Sequence, residues 1–162
     1  MGTAKNLLSV LKKVDVNDIS FKSVEETKEE YVLENQEQML AGKTSDGSDI
    51  TPSYLNDPYF KSRESAQRYS DWKDAISPKA GRKSGTPNLF INGRYHNGLR
   101  AVVDSDGVRI ESSSPDTAGI ESKFTRKIYG IHGKFKSDYL SYALRPVWKK
   151  KMEDITGLKL RL

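Results

Sequence analysis

His96 and His132 are the only imidazoles in this 162-residue chain. Either could serve as a general base, but catalysis also needs an acid or nucleophile and a group that orients them. His96 lies in Tyr95-His96-Asn97-Gly98 and His132 in Gly130-Ile131-His132-Gly133, so both read as partly exposed turn residues. Glu25, Glu26, Glu29 and Glu30 could act as paired acids, yet a helix start accounts for them through its dipole. Asp46, Asp49 and Asp57 do not follow calcium-loop spacing. Gly81-Arg82-Lys83-Ser84-Gly85 has some look of a phosphate loop. It lacks the GxxxxGK[ST] order and a preceding strand, and reads as a flexible basic turn. There is no GxSxG or HExxH motif. The absence of cysteine removes disulfides, thiol nucleophiles and thiolate metal sites. No enzyme, cofactor or metal is expected.

Nucleic-acid binding is the alternative reading. Arg82, Lys83, Arg94 and Arg100 lie close in sequence to Tyr69, Trp72 and Tyr95. Cations neutralise phosphates and rings stack on bases, although no helix-turn-helix, RRM signature or zinc finger accompanies them. The net charge of +5 is uneven: residues 1–119 hold 16 basic and 18 acidic side chains, residues 120–162 hold 11 and 4. Such a split suits an acidic partner, a nucleic acid, or an acidic face of a neighbouring copy. No apolar run approaches the roughly 18 residues of a membrane span, so no membrane contact is expected. Met1–Val14 has neither the apolar core nor the cleavage site of a secretory leader. With 35% hydrophobic and 30% charged residues, the core must be modest.

The elements that would carry these residues can be read from periodicity. Leu7, Leu11 and Val14 share a helical face in a short N-terminal arm over 1–20. Ser23-Val24-Glu25-Glu26 reads as a capping box that opens a helix over 24–41, with Val24, Tyr31, Val32, Asn35 and Met39 on one face. Gly42 supplies its stop. Residues 43–87 are rich in turn formers, yet carry Tyr54, Tyr59, Phe60, Tyr69 and Trp72. A long, partly ordered loop is expected, with a short helix near 60–75. Leu99–Asp104 and Gly107–Ser112 flank an Asp-Gly turn and predict a β-hairpin. A short helical stretch near 118–128 follows. Ser137-Asp138 would cap a closing amphipathic helix that Pro146 kinks and Gly157 ends. The expected architecture is α+β. A small antiparallel sheet packs with an N-terminal and a C-terminal helix in a domain over 21–157, followed by a tail at 158–162.

One succession of motifs stands out. Glu34-Asn35-Gln36-Glu37-Gln38-Met39-Leu40-Ala41-Gly42 leads to Asp46-Gly47 and Ile50-Thr51-Pro52-Ser53-Tyr54. Thr86-Pro87-Asn88-Leu89, Asn92-Gly93-Arg94-Tyr95, the hairpin, Lys127-Ile128-Tyr129-Gly130 and Arg145-Pro146 then follow. This order, over roughly residues 24–157, resembles small neck and tail-completion proteins of tailed bacteriophages and prophages. Asn92 stands where that pattern usually has threonine, with the same turn chemistry. The resemblance implies a structural virion protein of the neck or tail region, made in the host cytoplasm. It also implies rings of six or twelve copies joined to portal or adaptor and tail proteins, with DNA in the channel as a possible contact. The acidic first helix and basic last helix would face each other between copies. The expected partner contacts are Tyr54, Tyr59, Phe60, Trp72, Arg82, Lys83, Lys149, Lys150 and Lys151.

Overall fold

The computed structural model describes residues 8–12 and 14–161. It is a small α+β fold in which helices surround one two-stranded antiparallel sheet. Helix α1 spans Val16–Glu26 and α2 spans Lys28–Leu40. A third helix, α3, covers Arg63–Ile76, and the single turn α4 covers Arg94–Asn97. Strands β1 (Leu99–Asp104) and β2 (Gly107–Ser112) follow, then α5 (Thr117–Phe124) and α6 (Gly133–Asp138). A π-helical segment, Tyr139–Leu144, joins α6 to α7 (Arg145–Thr156).

The expected helix over 24–41 is two helices. Asp15 caps α1, its carboxylate accepting from the Asp18 N–H at 3.0 Å. Ser23 is not a cap: it is buried inside α1, and its hydroxyl donates to the Ile19 carbonyl. The bend falls at Thr27, whose hydroxyl donates back to the Ser23 carbonyl and lies 2.9 Å from the Tyr139 hydroxyl. A threonine bonding to its own preceding turn bends a helix, and here the bend is locked onto the closing helix. The boundary expected at residue 20 therefore cuts through α1, where Ile19 is buried. Leu7 lies outside the described residues.

Gly42 does end α2, at φ 71°. Its N–H donates to the Met39 carbonyl and that of Lys43 to the Gln38 carbonyl, the paired bonds of a Schellman motif. A Cβ at this position would lie 2.7 Å from Thr86 Cγ2, so glycine is required by packing as well as by backbone conformation.

The hairpin register pairs Leu99 with Ser112 and Asp104 with Gly107, as the turn chemistry predicts. Val32 and Met39 of α2 pack with Leu99, Ala101 and Ile110 of the sheet, and Ile50, Tyr95 and Ile128 complete the core. Beside this apolar layer runs a row of buried amides. Asn35 Nδ2 donates to the carbonyls of Ile128 (3.1 Å) and Gly130 (2.8 Å). Gln38 Nε2 donates to the Gly130 carbonyl at 2.8 Å, and its Oε1 accepts the His132 N–H at 2.7 Å. Gln36 reaches the His96 carbonyl at 2.8 Å.

Two further expectations are corrected. His132, not Ser137 or Asp138, stands at the start of the closing helices. The irregularity expected at Pro146 takes the form of the π-helical segment just before it. Proline lacks the N–H of an α-helical bond and crowds the preceding turn, and a wider turn relieves both. Gly157 closes α7 at φ 69°. The chain then folds back: Leu160 N–H donates to Glu153 Oε1 at 2.7 Å.

Replacing Gln38 with leucine strands the His132 N–H and removes one of two donors to Gly130. We expect a loss of about 1–3 kcal/mol in urea unfolding, with the midpoint moved and the slope unchanged. Gly42→Ala is expected to destabilise by at least about 1 kcal/mol in the same assay.

Candidate partner-binding surface

The short helix expected near 60–75 is α3, and the rest of residues 43–87 is irregular chain with one 3-10 turn, held in place by specific contacts. Asp46 Oδ1 accepts from the hydroxyls of Thr44 and Ser48, both at 2.6 Å, and a bridge between Lys43 and Asp49 closes that turn. The Tyr54 N–H donates to the Gly85 carbonyl at 2.9 Å, pinning the two ends of the segment together. Between them, Ser62 caps α3: its Oγ accepts from the Ser65 N–H, and Ser65 Oγ accepts in return. Ala66, Ser70 and Lys73 form the buried stripe of α3 at spacings of four and three. Tyr69 and Trp72 flank that stripe.

The aromatic residues of this segment form a ladder. Tyr59 meets Phe60 at 5.4 Å between ring centroids, Phe60 meets Tyr69 at 5.2 Å, and Tyr69 meets Trp72 at 5.4 Å. Tyr54 supports it from below, edge-on to Tyr69 at 5.1 Å. Ring contacts at these separations are attractive beyond the area they bury. The ends of the ladder are open to solvent: Tyr59 is 79% exposed and Trp72 44%. Lys123 Nζ stands 5.7 Å from the Tyr59 ring centroid and also pairs with Asp57, a carboxylate that is itself buried.

The expected contact residues thus separate into two groups. Tyr59, Trp72, Lys83 and Lys150 are exposed, and Phe60 is partly so. Tyr54 is buried and belongs to the packing. Arg82 is also drawn from the surface: its side chain is 3% exposed, and its guanidinium donates to Asp74 and to the Thr86 carbonyl. Sequence reasoning placed it on a flexible basic turn, and no local signal marks the Asp74 that draws it inward. Lys151 pairs with Glu26 at 2.5 Å and Lys149 approaches Glu153 at 3.9 Å. The Lys151–Glu26 pair, with Trp148 Nε1 donating to Ser20 at 3.2 Å, seats α7 on α1, whereas the Lys149–Glu153 pair lies within α7. The acidic and basic helices therefore meet within one chain.

His96 is buried, not a partly exposed turn residue. Its Nε2 lies 3.2 Å from the Asn88 carbonyl, and burial lowers its pKa. His132 lies against Gly47, in a different part of the fold. Among the described residues no cluster of three acidic or imidazole side chains is placed to hold a metal ion.

Beside the ladder opens a cleft of about 490 Å³, walled by Phe60, Tyr69, Phe90, Tyr95 and Phe124. Sequence reasoning missed it because its far wall comes from residues 87–95 and α5. Lys73 lies on its lining, 1% exposed, with its ammonium bonded to the Phe90 carbonyl. Desolvation pushes its pKa down to about 8; Arg82 adds to the fall and Asp74 opposes it.

Compared with known proteins, the chain matches no family model, no curated protein and no solved structure.

Two expected outcomes follow from this packing. Tyr54→Ala should cost about 3 kcal/mol or more in thermal unfolding, whereas Tyr59→Ser should stay within about 0.5 kcal/mol. For Lys73, the folded value lies below the ordinary 10.5, so the folded chain releases the proton first. The cost of the buried charge is full below pH 8 and is relieved as pH rises from about 8 to 10.5. Wild-type stability should therefore rise across that window relative to Lys73→Met, by on the order of 1–3 kcal/mol. A constant difference between the two proteins would refute this account.

Proposed function

We propose that this chain is a structural component of a tailed-phage particle, a neck, head–tail connector or tail-completion subunit that works by oligomeric assembly. The motif succession from Glu34 to Arg145-Pro146 supports the family. The observation that carries the mode of action is the aromatic ladder with its two open ends. An isolated exposed apolar residue needs no explanation, but linked rings ending in an exposed tyrosine and tryptophan are the composition of interface centres. Tyr142, 81% exposed on the π-helical segment, and Leu33, 57% exposed on α2, offer further apolar contacts to neighbours. Repetition around a ring makes modest pairwise contacts sufficient.

The nucleic-acid reading has less support. Of the cations that motivate it, Arg82 is paired with Asp74, Arg94 with Asp116 and Arg100 with Glu111. Tyr95 is buried. Cations neutralised within the chain release few counterions from DNA.

Native mass spectrometry of the chain over a range of concentrations, alone and with portal or tail-tube proteins, tests the proposal. A closed ring or a stoichiometric complex is expected. The double substitution Tyr59→Ser, Trp72→Ser should lower its yield at least about tenfold while thermal stability stays close to wild type. A monomer in every mixture would sink the reading. Tight DNA binding with a steep salt slope and no protein partner would replace it with the alternative.

A further inference from the structure

Five charged side chains line the aromatic cleft: Asp57, Lys73, Arg94, Asp116 and Lys123. Four of them form two pairs, Lys123 with Asp57 and Arg94 with Asp116. Lys73 is left over. Among the described residues it forms no ion pair, and its Nζ has one acceptor, the Phe90 carbonyl. Behind it, Arg82 and Asp74 pair with each other and bring little net charge. The other titratable groups nearby are neutral at pH 7. Burial holds the Tyr54, Tyr69 and Tyr95 hydroxyls above their usual range and His96 below its own.

An ammonium carries three N–H donors, so the Phe90 carbonyl leaves two without a described acceptor. A buried charge lacking a counterion is costly, and a ligand that supplies one recovers that cost. The charge count selects the ligand. One unmatched positive charge calls for a monoanion, because a dianion would place excess charge against the rings and a neutral group would leave the ammonium unmatched. The walls select the rest of the molecule, since Tyr69, Phe90 and Phe124 offer ring faces and edges to a flat apolar body. At about 490 Å³ the cleft falls in the size range of small-molecule sites.

We propose that this cleft is a binding site for a small aromatic monocarboxylate, with the ring against the aromatic walls and the carboxylate accepting from the Lys73 ammonium. The cleft shares Tyr59, Phe60 and Tyr69 with the ladder, but binding needs neither a second copy nor a partner protein, and a monomeric chain would bind.

Benzoate titrated into the full-length chain tests it, with benzamide and acetate as probes of the charge and the ring. Binding is followed by calorimetry and by the NMR signal of the methylene next to Lys73 Nζ. Benzoate should saturate a single site and shift that signal. Benzamide and acetate should each bind at least about tenfold more weakly, the size of one charge-assisted hydrogen bond or one lost ring. Lys73→Gln should erase the preference for benzoate over benzamide. Equal affinity for acid and amide, saturation that leaves the Lys73 signal unmoved, or no binding at all would overturn the proposal. The wild-type signal decides the matter even if the variant fails to fold.

Discussion

The buried amides of α2 are the constraint on which the rest of the fold rests. Asn35 and Gln38 are fully buried and donate to the Ile128 and Gly130 carbonyls, while Gln38 takes the His132 N–H. The stretch between α5 and α6, a 3-10 turn at Arg126–Ile128 followed by irregular chain, has no sheet partner. Without these side chains the Ile128 and Gly130 carbonyls and the His132 N–H would lose the partners they have here, and a buried backbone group left unpaired costs about as much as a lost hydrogen bond. By satisfying them, α2 sets where α6 begins, and hence where the π-helical segment and α7 lie. The Thr27–Tyr139 hydroxyl contact, together with the Tyr31–Tyr139 ring pair at 5.2 Å, fixes the other end of the same junction.

Charge plays a different part from the one its distribution along the chain suggests. The acidic N-terminal helices and the basic closing helix look complementary between copies, but Glu26 and Lys151 meet inside one chain. The same is true of the basic middle: Arg82, Arg94 and Arg100 each find a carboxylate at hand. Exposed pairs of this kind contribute little to stability. They do offset the charge of Arg94 and Arg100 where these stand at the surface, beside the exposed rings of Tyr59 and Trp72. In the proposed assembly role, shape and apolar contact at Tyr59 and Trp72 would dominate, with charge steering encounters.

Lys73 shows how a helix can serve packing and chemistry at once. On the inner stripe of α3 it ties the helix to the segment at Phe90, and the same burial leaves its ammonium without a counterion. A hydrophobic residue there would fill the stripe at lower cost in desolvation.

Much of this protein is written locally. The hairpin follows from alternation and an Asp-Gly turn, the stop at Gly42 from backbone freedom, and the stop at Gly157 from the same property. These depend on neighbours a few residues away, so periodicity and turn chemistry reach them. The α+β class follows once helical and strand periods are both present. The ladder's members were visible as well, since five large rings in a turn-rich stretch cannot all remain in solvent. Their sorting was not: whether Tyr54 or Tyr59 faces water depends on where Gly85 and Lys123 arrive from distant parts of the chain. Likewise the burial of Arg82 and His96, the split of the first helix at Thr27 and the cleft around Lys73 come from side chains brought together across tens of residues. Local sequence determines which conformations a segment prefers. Only the packed fold decides which polar groups lose water, and that loss of hydration assigns each charged or aromatic residue to the interior or to the surface.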